Sequence, residues 1–158
     1  MRTLRLRRAQ GTLRMGRIFT QITIVNVLDP TREICSQALI DTGAWGLMLP
    51  RAWKEQLGAL PVLRTVELVT ADQRVVTGEV CGPVTIRIEG FEPVSSEVTF
   101  VDMELDEGRY HPLLGYTVLE QAGIAVDVVG HRLIKVPHMD LRAASGSAAG
   151  SARSAIGT

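Results

Sequence analysis

Asp41, Thr42 and Gly43 stand between two apolar runs, in QALIDTGAWGLMLP from Gln37 to Pro50. Asp and Gly are common turn residues, so a plain surface turn is one reading of the three. They are also the parts of half an acid–base site. An apolar strand ending at Asp41 delivers its carboxylate to a partly buried place, where a lone charge is costly. A second carboxylate alongside removes the conflict. The two share one proton, so that one serves as base while the other serves as acid. Gly43 lets another backbone approach closely, and Thr42 offers a hydroxyl to tie the loop down. The sequence holds no second Asp-Thr-Gly or Asp-Ser-Gly. If Asp41 needs a twin, it must therefore come from another copy of the chain, across the self-complementary interface of a twofold dimer.

The elements that would position these residues are mostly strands. GRIFTQITIVNVL at 16–28 reads as a strand, DPTR at 29–32 as a turn, and EICSQALI at 33–40 as the returning strand. GLMLP gives a short strand, and PRAWKEQLG at 50–58, with a Pro start and a Gly stop, a short helix. VLRTVELVTADQRVVTGEV at 62–80 is the clearest hairpin, with Ala71, Asp72 and Gln73 at its tip. GPVTIRIEG at 82–90 predicts another strand, and PVSSEVTFVDME at 93–104 one more. LDEGRYH at 105–111 is a polar loop and PLLG at 112–115 a short buried strand. YTVLEQAG at 116–123 is a short helix closed by Gly123, and IAVDVVGHRLIKV at 124–136 a final hairpin turning near Gly130 and His131. The sum, about eight short strands and two short helices, predicts an all-β chain folded as a small closed β-barrel.

The bulk numbers agree. The 158 residues suit one domain, and 46% hydrophobic content excludes a globally disordered chain. Aromatics are only 4%, so Val, Ile and Leu must fill the core. Lys plus Arg and Asp plus Glu balance at 17 each, giving no whole-protein reason to expect nucleic acid. The first 17 residues nevertheless carry Arg2, Arg5, Arg7, Arg8, Arg14 and Arg17 and no acid. No apolar stretch follows these arginines, which argues against a secretory signal and for a solvated segment over 1–15. From 141 to 158 the chain turns to Ala, Gly and Ser and reads as a flexible tail, leaving 16–140 as the folded domain. No apolar run is long enough to span a membrane. Cys35 and Cys81 each lie in a strand-like run and read as buried reduced thiols, which fits a cytoplasmic location.

Two motifs together resemble those of the retropepsin-like aspartic proteases, the single-domain homodimeric class. ALIDTGA at 38–44 matches the catalytic loop of that family, and PLLGYTVLEQAGIAVD at 112–127 matches its second signature. The order of hairpin, Asp-Thr-Gly, flap-like hairpin and Leu-Leu-Gly also agrees, over roughly residues 16–137. The resemblance implies a barrel of the acid-protease type and an endopeptidase that hydrolyses peptide or protein substrates with an activated water. Asp41 of each subunit would hold that water, and Thr42 would hydrogen-bond across the dimer. Gly43 and Ala44 would complete the active-site loop. Leu113, Leu114 and Gly115 would brace that loop from behind. The 62–80 hairpin would be the flap, with Ala71, Asp72, Gln73 and Arg74 near the substrate. Trp45 follows the loop where many family members carry a small or polar residue, and either lines a substrate pocket or packs on the core. The resemblance implies no cofactor, no metal, no nucleic acid and no membrane. A member that kept the fold and lost the chemistry would be a dimeric peptide-binding or scaffolding module.

Competing sites find little support in the sequence. His111, His131 and His138 lack metal-like spacing, and DMELDE at 102–107 lacks the calcium-loop pattern. Asp127 reads as a strand-end residue satisfied locally, and no phosphate-binding glycine loop occurs.

Overall fold

The computed structural model describes residues 16–137. The Arg-rich segment 1–15 and the Ala/Gly/Ser-rich tail from 141 lie outside the described residues, as does His138. β1 (Phe19–Asn26) and β2 (Glu33–Ile40) form an antiparallel hairpin with Phe19 opposite Leu39 and Val25 opposite Glu33. Its turn closes as its residues dictate: Arg32 N–H donates to the Asp29 carbonyl, and the Thr31 hydroxyl donates to the Asp29 carboxylate at 2.6 Å. Asn26, wholly buried, ends β1. Its amide nitrogen donates to the Leu57 carbonyl at 2.7 Å, and its oxygen accepts from the backbone of Leu28 at 2.8 Å. The buried amide is thereby satisfied and ties the hairpin to the next element.

β3 (Leu47–Pro50) runs into a helix over Arg51–Leu57. This helix is 3₁₀. Its seven residues are more than such windings usually hold, and Gly58, at φ +71°, stops it by donating back to Glu55. β4 (Val62–Val69) and β5 (Val75–Ile88) make the long hairpin. The expected break between 80 and 82 is absent, since β5 is one strand of 14 residues. Its pairing with β6 (Val94–Val101) slips between Cys81 and Val84, so Pro83, which has no N–H to give, sits in a bulge rather than ending the strand. After β7 (Leu113–Leu114) come α1 (Tyr116–Gln121), β8 (Ile124–Asp127) and β9 (Arg132–Lys135).

The pairing order β1-β2-β7-β3-β6-β5 returns to β1, where Ile22 lies opposite Ile88 and Asn26 opposite Val84. Six strands thus close a barrel, which leaves no open edge around its wall. β4 hangs outside, paired only with β5, and β8 with β9 forms a separate two-stranded sheet. The chain is all-β as expected, with nine strands among the described residues. Ile22, Ile24, Leu47, Leu49, Ile86 and Phe100 fill the barrel with almost no exposure. Only one of the two cysteines is buried. Cys81 is enclosed, and burial pushes its thiol above its usual range. Cys35 is exposed because Ile34 and Ala38 take the inward face of β2, and strand alternation turns position 35 outward.

Candidate active site

β2 ends at Ile40, and Asp41 is the first residue beyond it. β2 runs parallel to β7, with Ile40 beside Leu114, so the strand's hydrogen bonding extends one residue further. Asp41 N–H donates to the Leu114 carbonyl at 3.1 Å. The chain then turns tightly. Ala44 N–H donates to the Asp41 carbonyl at 3.1 Å, and Gly43 N–H donates to Asp41 Oδ1 at 2.9 Å. The carboxylate is thereby aimed by its own loop. Asp41 is half-buried, Thr42 and Gly43 are exposed, and Ala44 is buried.

The segment after β7 clasps this loop mainly through backbone. Gly115 N–H donates to the Gly46 carbonyl, Tyr116 N–H to Ala44, and Thr117 N–H to Trp45, each at 3.0 Å. The Thr117 hydroxyl adds a bond to the same Trp45 carbonyl at 2.7 Å. A Cβ at Gly115 would lie 2.5 Å from the Ala44 carbonyl oxygen and 2.6 Å from Gly46 N, so only glycine fits. Leu114 is buried behind the loop, and Leu113 faces the cleft.

A cleft of about 670 Å³ lies above Asp41. Asp41, Gly43, Met48 and Leu113 line it together with Leu68 and Val76 of the long hairpin. Trp45 and Ala71 also line it, whereas Asp72, Gln73 and Arg74 do not. Those three are exposed at the hairpin tip, where they satisfy one another. Gln73 takes φ +63°, Arg74 N–H donates to Thr70 Oγ1 at 3.1 Å, and Asp72 accepts from the Thr70 hydroxyl and from Arg74 Nε. The Thr70 hydroxyl, with lesser help from Arg74, holds the Asp72 carboxyl below its ordinary range. Trp45 is 57% exposed, with its ring edge-on to Tyr116 at 5.4 Å, so it is not a core residue.

The sequence reading missed the groups that root the hairpin. Lys54 Nζ donates to Glu79 at 2.6 Å, and Arg51 lies 3.3 Å from the same carboxylate. Chiefly Lys54 therefore keeps Glu79 below the usual carboxylate range. Arg51 also donates to the Thr77 carbonyl and to Asp102, each at 3.1 Å. Met48, Asp102 and Met103 of the cleft were missed too. Alternation in LMLP could have turned Met48 toward the cleft, but no local pattern marks a loop residue such as Met103. Asp127 is satisfied within its own hairpin by Gly130 N–H at 2.8 Å and Arg132 at 3.0 Å. Among the described residues no group of three or more His, Cys, Asp or Glu is arranged to hold a metal ion. No described helix is long and apolar enough to cross a membrane.

The chain thus places a single aimed carboxylate in a cleft beside the long hairpin. Its fold is similar to that of known proteins. Among solved structures, the retroviral protease-like domain of Ddi1 from Leishmania major is 14% identical, covers 77% of this chain and 90% of its own, and superposes with a TM-score of 0.50. The EIAV protease bound to the inhibitor HBY-793 is 21% identical over 70% of this chain and 90% of its own, at a TM-score of 0.48. A retropepsin-like aspartic protease from Rickettsia conorii is 19% identical over 71% and 77%, at 0.44. No curated protein sequence matches the chain. The family profile described as "Aspartyl protease" matches residues 31–118, more than half of the 158, from the turn before β2 into α1. The chain therefore belongs to the aspartyl protease family, with a retropepsin-like fold.

Proposed function

We propose that the protein is an aspartic endopeptidase, active as a homodimer, that hydrolyses peptide bonds with a water held between Asp41 of one subunit and Asp41 of the other. The observation that carries this reading is the half-buried Asp41 carboxylate, aimed by Gly43 N–H into a cleft roofed by a hairpin. In the dimer one carboxylate takes a proton from the water as it attacks the peptide carbonyl. The protonated partner donates to the carbonyl oxygen. The proton then reaches the leaving nitrogen as the C–N bond breaks. Neither metal nor cofactor enters these steps. Thr42, exposed beside the axis, would bond the partner loop. The β8–β9 hairpin favours a second copy as partner, since Val128 and Val129 of its turn, Ile134 of β9 and Val136 just beyond it are exposed, and no other described strand pairs with this sheet.

The test is incubation of the purified chain with an unfolded protein and with short peptides, with and without a pepstatin-like inhibitor. Inhibitable cleavage, absent from Asp41→Asn, is the expected result. Cleavage that survives Asp41→Asn overturns the mechanism, and sedimentation showing an active monomer overturns the shared site. Peptide binding without any cutting would instead identify a binding module.

A further inference from the structure

Trp45 stands between two hollows. One is the cleft above Asp41. The other, of about 590 Å³, lies between β4, β6 and α1 and includes Leu63, Pro83 and Glu120 in its lining. The same strand serves both: Leu63 of β4 lines the second hollow, and Leu68 and Val69 of β4 line the first. Among the described residues β4 pairs only with β5, so its outer edge offers backbone donors and acceptors to an incoming strand. An extended peptide that pairs with this edge passes through both hollows. From Leu68 back to Leu63 is five residues, about 17 Å at the rise of a strand. The register of β4 slips between Val62 and Arg64, and such a bulge re-aims the side chain at Leu63.

The charge of the second hollow is one-sided. Its lining contains Glu97 and Glu120 and neither Lys nor Arg. Glu97 is already engaged, since Arg64 Nη1 donates to it at 2.9 Å. Glu120 is exposed on α1 and has no ion-pair partner among the described residues. An aromatic plate at Trp45, an apolar wall at Leu63 and Pro83 and an unspent carboxylate together match one kind of side chain. A long cationic residue lays its methylenes on the apolar surface and its head against the ring and the carboxylate. An acidic residue meets the Glu120 carboxylate there, while Glu97 is already paired with Arg64. We infer that the second hollow is a distal substrate subsite that takes an Arg or Lys side chain about five residues from the cleaved bond, with Trp45 and Glu120 as its specificity-determining residues. This inference rests on the peptide-cleaving reading.

The experiment uses peptides with the same apolar residues at the cleaved bond, and Arg, norleucine or Glu placed three to six residues away on either side. KM is expected to fall about three- to fivefold for Arg against Glu at one position, with kcat little changed, the size of an exposed ion pair. Glu120→Lys, a change at an exposed helix position, is expected to reverse that order, and Trp45→Ala to weaken the preference for Arg. Equal KM for Arg and Glu peptides in the unaltered protein, or an order indifferent to Glu120→Lys, overturns the subsite and leaves proteolysis standing. Should no peptide be cut, fluorescence anisotropy of the same peptides decides separately. A preference for Arg that Glu120→Lys reverses upholds the subsite while the proteolytic reading falls, and no preference overturns both.

Discussion

The Asp41 loop and the hairpin above it face each other across one cleft and are held in opposite ways. The loop hangs on backbone bonds from a distant segment, residues 113–117, with Gly115 pressed so close that no Cβ fits. The hairpin tip is held mainly by neighbours two to four residues away, Thr70, Asp72 and Arg74, with one longer reach, the exposed pair of Arg74 with Glu104 at 3.8 Å. On the proposed function, the group that must be placed to a fraction of an ångström gets long-range support. The segment that would open for a peptide gets mostly local support, which can re-form after each passage.

The sharpest way to break the contrast is at the carboxylate. Asp41→Asn is expected to lower the rate of peptide cleavage by about a thousandfold or more while the melting temperature stays close to that of the parent. A large loss of stability would show that the loop depends on the charge. Gly115→Ala comes next. Its Cβ meets backbone at 2.5 Å, so the clasp must open, and thermal unfolding is expected to record a loss of about 3 kcal/mol together with loss of cleavage. Gly78→Ala sits at the hairpin root, where a Cβ would lie 2.8 Å from Thr99 Cγ2. That contact is with a side chain, so a smaller loss of about 1 kcal/mol is expected. Asp72→Ala at the tip is expected to shift KM while lowering the melting temperature only slightly; a large drop would mean the tip is not mostly locally held.

Acid should separate the regions as well. Asp72 and Asp127 have folded-state carboxyls held below their ordinary range, by Thr70 and by Gly130 N–H respectively. Their stabilising effect is therefore present above the unfolded value of about 3.9 and is lost as pH falls through the lowered one. Amide exchange is expected to quicken in both hairpin turns in that window before the barrel strands respond. The cleavage rate itself is expected to follow a bell in pH, since one carboxyl of the pair must be ionised and the other protonated. A rate still climbing in alkali would point to another base.

Much of this arrangement was legible because it is written in local patterns. Alternating Val, Ile and Leu located the strands, and the resemblance placed Leu-Leu-Gly behind the loop; the close approach of backbone at Gly115 itself does not show in the sequence. What escaped is non-local. The continuity of β5 through Pro83 depends on a bulge against β6, which no window around Pro83 announces. The exposure of Cys35 follows from which face of β2 meets the core, a choice made by strands elsewhere. Arg51, Lys54 and Glu79 read as surface charges in sequence, and only the barrel's closure brings them to the root of the hairpin. Asn26 likewise looks like an ordinary polar residue in a strand until the end of the 3₁₀ helix is placed over it.

The uninterrupted β5 divides labour along a single beam. Its last five residues, Val84 to Ile88, form the seam that shuts the barrel against β1, while its first residues carry the cover of the cleft. Residues added or removed at the far end of this cantilever change its reach without touching the seam. Cleft length can therefore diverge between descendants of this chain while the barrel stays the same.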